Sequence, residues 1–245
     1  MALPGGTVNW PLLFGCIFTA FGPITTFFFI LIGKRAQLII IALTAAFIWL
    51  ISTLISATIW QIIPALKSSI EATICITVVI QEIGRYTFYQ LYSHGVVAIQ
   101  KVTTTKHQLP LNDFTSSLAS GVGYSLMHSL MVYGSVLGSS TGFRGAAYRD
   151  YCELPVVFTG AITALALSIS DVALMVMAFV GYRSRNWSVI CMVVILHLGI
   201  GLSALANQKS NGCVISIPIH YGGAVVACLG ARFFTGRSRS LDRSY

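Results

Sequence analysis

Apolar residues run along this chain in long stretches. They follow neither the two-residue period of a half-buried strand nor a single amphipathic stripe. Seven stretches stand out, at 10–32, 37–63, 72–92, 114–137, 154–182, 187–206 and 213–234. A helix of about 20 residues, rising about 1.5 Å per residue, crosses a hydrocarbon core about 30 Å thick, and each stretch reaches that length. The run Leu38-Ile39-Ile40-Ile41-Ala42-Leu43 does not alternate. A transmembrane barrel, whose strands read as alternating segments of about 10 residues, is therefore excluded. Lipid offers no partner to a free backbone group, so each span must be a helix. The pattern predicts an all-α polytopic membrane protein, a seven-transmembrane-helix bundle forming one domain over residues 1–245.

Composition sharpens this reading. Of 245 residues, 56% are hydrophobic and only 9% charged, against about 25% charged in soluble domains. Mean hydropathy is +0.80. The net charge of +8 does not point to nucleic acid, because the basic residues stand singly or in pairs at the ends of apolar stretches. They read as topology signals. Residues 1–9 hold no Lys or Arg, so the first stretch is predicted to be a retained span and not a signal peptide. With the N-terminus lumenal, Lys34, Arg35, Arg85, Lys101, Lys106, Arg183, Arg185, Arg232, Arg237, Arg239 and Arg243 fall on the inner side. Lys67, Arg144, Arg149 and Lys209 fall outside, a balance of eleven to four that predicts a cytoplasmic C-terminus. The longest polar connection, 94–113, is then cytoplasmic and 138–153 lumenal. The sequon Asn186-Trp187-Ser188 faces the cytoplasm and is expected to be unused. Cys16, Cys75, Cys191 and Cys228 read as packing residues within spans. Cys152 and Cys213 both fall near the lumenal face, where a bridge between them is one of two open readings.

Polar residues deep in a bilayer are costly, about 2.5–3.5 kcal/mol for a charge at a helix centre, and they mark candidate sites. Asp171 and His197 lie at similar depth in consecutive spans joined by a short turn. A carboxylate–imidazole hydrogen bond between them would clamp those helices. The alternative is two unrelated polar residues, each bonded to backbone or lining a small wet cavity. Gly121, Ser125 and Ser129 recur every four residues and form a stripe of small side chains, against which another helix can pack closely. Gly223, Ala227 and Ala231 repeat that spacing. Gln81, Glu82 and Arg85 read as an interfacial polar cluster, with Glu82 and Arg85 paired at i, i+3 and snorkelling. His128 and His220 read as lone packing or hydrogen-bonding histidines. No metal-ligand spacing such as His-Glu-x-x-His occurs, so neither metal nor cofactor is expected.

These features together resemble the anterior-pharynx-defective subunit of gamma-secretase. The resemblance rests on Phe14-Gly15-Cys16 through Ala20-Phe21-Gly22-Pro23, on Trp49-Leu50-Ile51-Ser52 with Trp60, and on Gln81-Glu82 with Arg85 and Tyr89. Ser120-Gly121, His197-Leu198 and Ile217-Pro218-Ile219 continue it in order. It implies a non-catalytic scaffold subunit and no enzyme. The implied partners are a presenilin-like aspartyl protease, a nicastrin-like glycoprotein and a presenilin enhancer-like subunit. The implied substrates are single-span proteins of the Notch-receptor and amyloid-precursor types, and the implied sites the endoplasmic reticulum, Golgi and plasma membrane. The family's Gly-x-x-x-Gly-x-x-x-Gly stripe maps onto Gly121, Ser125 and Ser129, with serine at two positions. Of its two buried histidines the second maps onto His197, while the first falls on Asp171, or on Ser170 with a one-residue gap.

The rival reading is a rhomboid-like intramembrane serine protease using Ser125, within Gly123-Tyr124-Ser125-Leu126, and His197 as its base. The second span lacks the His and Asn that would line its oxyanion site. An aspartyl intramembrane protease needs two facing carboxylates, and only Asp171 lies deep. A receptor is disfavoured by the absence of Asp-Arg-Tyr and Asn-Pro-x-x-Tyr. A transporter is disfavoured because Gly22-Pro23 and Pro218 do not form matched helix breaks in two halves.

Overall fold

The computed structural model describes residues 10–102, 112–138 and 154–242. Among these residues the chain is helical almost throughout, with no strand. Helix α1 is Trp10–Phe27 and runs into a π-helical turn, Phe28–Ile32; α2 is Ala36–Ile62, α3 the short Pro64–Ser68, and α4 Ile70–Val102. Helix α5 is Asp113–Gly138, α6 Val156–Arg183, α7 Trp187–Ser203 with a 3-10 extension Ala204–Gln208, and α8 Cys213–Asp242.

The apolar stretches set these helices, and local chemistry sets several of their ends. Ile63 stands before Pro64 and takes φ −98°, ψ 103°, the extended conformation that a following proline imposes. It ends α2, and Pro64 opens α3. Asn186 caps α7, its Oδ1 accepting from Ser188 N at 3.1 Å and Val189 N at 3.4 Å. The asparagine of the sequon is thus occupied as an N-cap. Helix α4 continues to Val102, so 93–102 is helical and the 94–113 connection is shorter than its polarity suggested. Val96, Val97, Ala98 and Ile99 lie in that continuation, which holds no proline.

Among the described residues five helical segments are long and apolar enough to cross a membrane: α1 with its π turn, α2, α6, α7 with its 3-10 turn, and α8. Helices α4 and α5, 33 and 26 residues long, are less apolar because they carry the polar clusters. Helix α6 is the centre. It packs on α1, α4, α5, α7 and α8, while α2 joins through α5 and α4. The surface is apolar: Phe18, Ile62, Trp187, Ile195 and Val214 are exposed. The interior is small and polar, with Ala161, Ala164, Ala166, Ser168, Ser170 and Ala178 of α6 buried. Charge is inside and hydrocarbon outside, as lipid as the solvent requires.

Cys213 is disulfide-bonded, whereas Cys16, Cys75, Cys191 and Cys228 are free thiols. Cys152, the candidate partner in the bridge left open above, lies outside the described residues, as do Arg144, Arg149, Lys106 and Arg243.

Candidate functional site

The bundle's charged residues gather around α4. Arg85 is fully buried and forms an ion pair with Glu82, itself 8% exposed. The expectation of a snorkelling interfacial pair is therefore corrected. Glu82 lies 12 residues beyond Ile70 in a 33-residue helix, about 18 Å along it, and so sits in mid-bundle. His197 of α7 reaches the same carboxylate, with Nδ1 2.5 Å from Glu82 Oε1. A carboxylate paired with Arg85 can only accept, so His197 Nδ1–H is the donor.

From this ion pair a chain of contacts crosses the bundle. The Arg85 guanidinium lies over the Tyr124 ring of α5, 5.1 Å from its centroid. The Tyr124 hydroxyl donates to the Gln81 carbonyl at 3.1 Å. Trp49 of α2 meets Tyr124 edge-on, with centroids 6.2 Å apart, and stacks on His128 of α5 at 5.1 Å. His128 Nδ1 then hydrogen-bonds Asp171 Oδ2 of α6 at 2.7 Å. Five helices, α2, α4, α5, α6 and α7, are tied in one buried network. Opposite charges that meet in a low-dielectric interior hold each other strongly, and each is costly to leave alone.

The direct Asp171–His197 clamp does not form. Each residue has a different partner, because shared depth does not fix which way a side chain points around its helix. A double-mutant cycle separates the arrangements. Asp171→Ala and His128→Ala should couple by roughly 0.6 kcal/mol or more in thermal unfolding, whereas Asp171→Ala and His197→Ala should add. Among the described residues Glu82 Oε2 and Arg85 Nε and Nη2 have no hydrogen-bond partner. The network borders a cavity of about 290 Å³. Gln81, His128, His197, His220, Thr77 and Asn207 are in its wall. His220 Nδ1 donates to the Ser216 carbonyl at 2.6 Å and lies 3.2 Å from Ser203 Oγ. These polar groups stand in a mostly apolar wall, and a space of this volume beside them can hold water.

The small-residue positions of α5 face two helices. Gly121 lies against α6, where a Cβ would meet Val172 Cα at 2.9 Å. Ser129 Oγ and Ser168 Oγ of α6 are 2.6 Å apart. Ser125 is fully buried, and its hydroxyl has no hydrogen-bond partner among the described residues. The tightest contact is one the four-residue spacing missed. At Gly123 a Cβ would sit 1.9 Å from the Ala42 carbonyl oxygen of α2. Gly84 of α4 is a second such place, its Cβ position 2.1 Å from Ser52 Oγ. Of the second stripe, Gly223 meets Ile200 of α7 and Ala227 is buried against the α6–α7 contact.

At the end of the bundle that carries Arg183, Asp113 Oδ2 accepts from Arg183 Nη1 at 2.9 Å, and Asp113 Oδ1 from the Tyr92 hydroxyl at 2.9 Å. The two ion-pair side chains are 55% and 40% exposed, which places the bond in a strongly screened setting. Arg183→Ala should change stability by less than about 1 kcal/mol, read as the unfolding midpoint in detergent. Among the described residues no cluster of three His, Cys, Asp or Glu could hold a metal ion.

Apolar helices around a charged, hydrogen-bonded interior define an integral membrane protein of the polytopic helical class. The family model described as Aph-1 protein matches residues 12–238, and the chain belongs to the Aph-1 family. The gamma-secretase subunit Aph-1 of Drosophila melanogaster is 32% identical over 239 residues, covering 95% of this chain and 97% of that protein. The gamma-secretase subunit APH1-like of Arabidopsis thaliana is 30% identical over 215 residues, covering 84% of this chain and 86% of its own. The gamma-secretase subunit APH-1B of Homo sapiens is 27% identical over 198 residues, covering 76% and 74%. The rhomboid-like alternative is not supported: Ser125 has no bonded base, and His197 is committed to Glu82.

Proposed function

We propose that this chain is a non-catalytic scaffold subunit of a gamma-secretase-type intramembrane protease complex. Its relatives are named gamma-secretase subunits over nearly their whole length. The observation that carries the scaffold role is the pairing of the deep carboxylates. Glu82 is held by Arg85 and His197, and Asp171 by His128. An aspartyl protease needs two carboxylates sharing one proton, whereas here each is spent on fastening helices. All seven long helices cross the membrane as one domain, with a lumenal N-terminus and a cytoplasmic C-terminus. Because Arg85 is buried, the basic balance becomes ten to four, which keeps that orientation.

The partners on this reading are a presenilin-like aspartyl protease, a nicastrin-like glycoprotein and a presenilin enhancer-like subunit. The protease supplies the chemistry that cuts single-span substrates of the Notch-receptor and amyloid-precursor types. This chain supplies a rigid frame with a groove for a partner helix. The complex resides in the endoplasmic reticulum, Golgi and plasma membrane. A mild-detergent pull-down of the tagged chain from native membranes, followed by mass spectrometry, tests the reading. Recovery of an aspartyl membrane protease and a large glycoprotein in fixed proportion is expected. A chain recovered alone, with Ser125 labelled by a fluorophosphonate probe, would overturn it.

A further inference from the structure

Helices α1 and α8 both pack on α6, and a groove of about 610 Å³ lies between them, within the range of about 300–1,000 Å³ typical of ligand clefts. Ile24 and Phe27 of α1, Ile169 and Val172 of α6, and Cys228 of α8 form an apolar trough. The hydroxyls along it are already engaged, Ser168 with Ser129 and Thr235 with the Ala231 carbonyl. One cationic side chain, Arg232, lines it. Arg232 is exposed, and among the described residues no hydrogen bond or ion pair engages its guanidinium. Gly236 lies one turn further on, where a Cβ would meet no described residue within 4 Å.

The wall residues come from the end of α1, the start of α5, the middle of α6 and the second half of α8, so the groove runs from mid-bundle toward the end that carries Lys34, Arg35, Arg183 and Arg232. On the orientation proposed above this end faces the cytoplasmic leaflet, the leaflet that holds the anionic lipids. An apolar trough ending at an unpaired guanidinium in that leaflet is complementary to one amphiphile. We infer that the groove between α1 and α8 binds an anionic phospholipid, its acyl chain along Phe27, Ile169 and Val172 and its phosphate on Arg232. A guanidinium fork suits phosphate oxygens, and its planar geometry favours them over a point contact.

The test places the full chain in phosphatidylcholine nanodiscs with a trace of phosphatidylserine that bears a photoactivatable acyl chain. Mass spectrometry then maps the labelled residues. Label should concentrate on Phe27, Ile169 and Val172. Unlabelled phosphatidylserine should displace it about fivefold better than phosphatidylcholine, the ratio that about one basic side chain near the surface supplies. Arg232→Glu should abolish that preference, and Cys228→Trp should remove the label by filling the trough. Both positions are exposed, so neither substitution disturbs the packed interior. Even labelling around the bundle, equal displacement by phosphatidylcholine, or an unchanged preference in Arg232→Glu would overturn the inference. So would a groove shielded from the probe in the assembled complex, since a partner helix would then be its occupant.

Discussion

Glu82→Ala should destabilise the chain by about 3–5 kcal/mol, the usual loss when one partner of a buried ion pair is removed. Two groups lose their acceptor at once. Arg85 stays fully buried as an uncompensated cation, and His197 loses the oxygen 2.5 Å from its Nδ1. Glu82→Gln keeps an acceptor for His197 but not the charge for Arg85, so it should recover only part of the loss. Glu82→Leu with Arg85→Met should recover more, because an apolar pair of similar volume often replaces a buried ion pair at little cost. The unfolding midpoint in detergent, with recovery of correctly inserted protein, reads all three. A Glu82→Ala midpoint equal to the parent would show that the pair does not hold the bundle.

Gly123→Leu should be the most damaging substitution on α5. The Cβ position is 1.9 Å from the Ala42 carbonyl oxygen and 2.6 Å from its carbon, so the obstacle is backbone and cannot rotate away. Overpacking costs about 1–3 kcal/mol where side chains can adjust, and here α2 and α5 must move apart. Ala42→Gly should not rescue it, because the clash is with the main chain. Gly134 lies on the same helix with nothing within 4 Å of a Cβ, so Gly134→Ala should be silent. Yield of folded monomer from membranes, compared across Gly123→Ala, Gly123→Leu and Gly134→Ala, separates close packing from general intolerance. Equal yields would remove the α2–α5 contact from the account of stability.

Helix positions were legible because lipid demands long apolar runs, and each of the seven stretches falls on a helix. What a run cannot encode is rotation about its axis. Asp171 and His197 share a depth, yet Asp171 faces α5 and His197 faces α4. His128 is the packing and hydrogen-bonding histidine that its sequence context implies, but a single histidine carries no spacing signal that names its partner. Only the fold sets it between Trp49 and Asp171. Arg85 reads as an end-of-span charge because the apolar stretch ends at residue 92, whereas the helix runs on to Val102. A stripe at spacings of four describes one face of α5 and so omits Gly123, while α5 packs on both α2 and α6. The spacing of two in Gly121-Val122-Gly123 puts small residues on opposite faces, the signal of a helix packed on two sides.

The most direct test of the scaffold role is substrate cleavage per assembled complex, with Ser125→Ala, Asp171→Asn and Glu82→Gln chains in place of the parent. A scaffold predicts that Asp171→Asn and Glu82→Gln lower the amount of complex recovered, that Ser125→Ala, which removes an unbonded hydroxyl, leaves it unchanged, and that each recovered complex cleaves a single-span substrate at the parental rate. Complexes that assemble in normal amount yet lose cleavage would contradict it and place a reacting group on this chain.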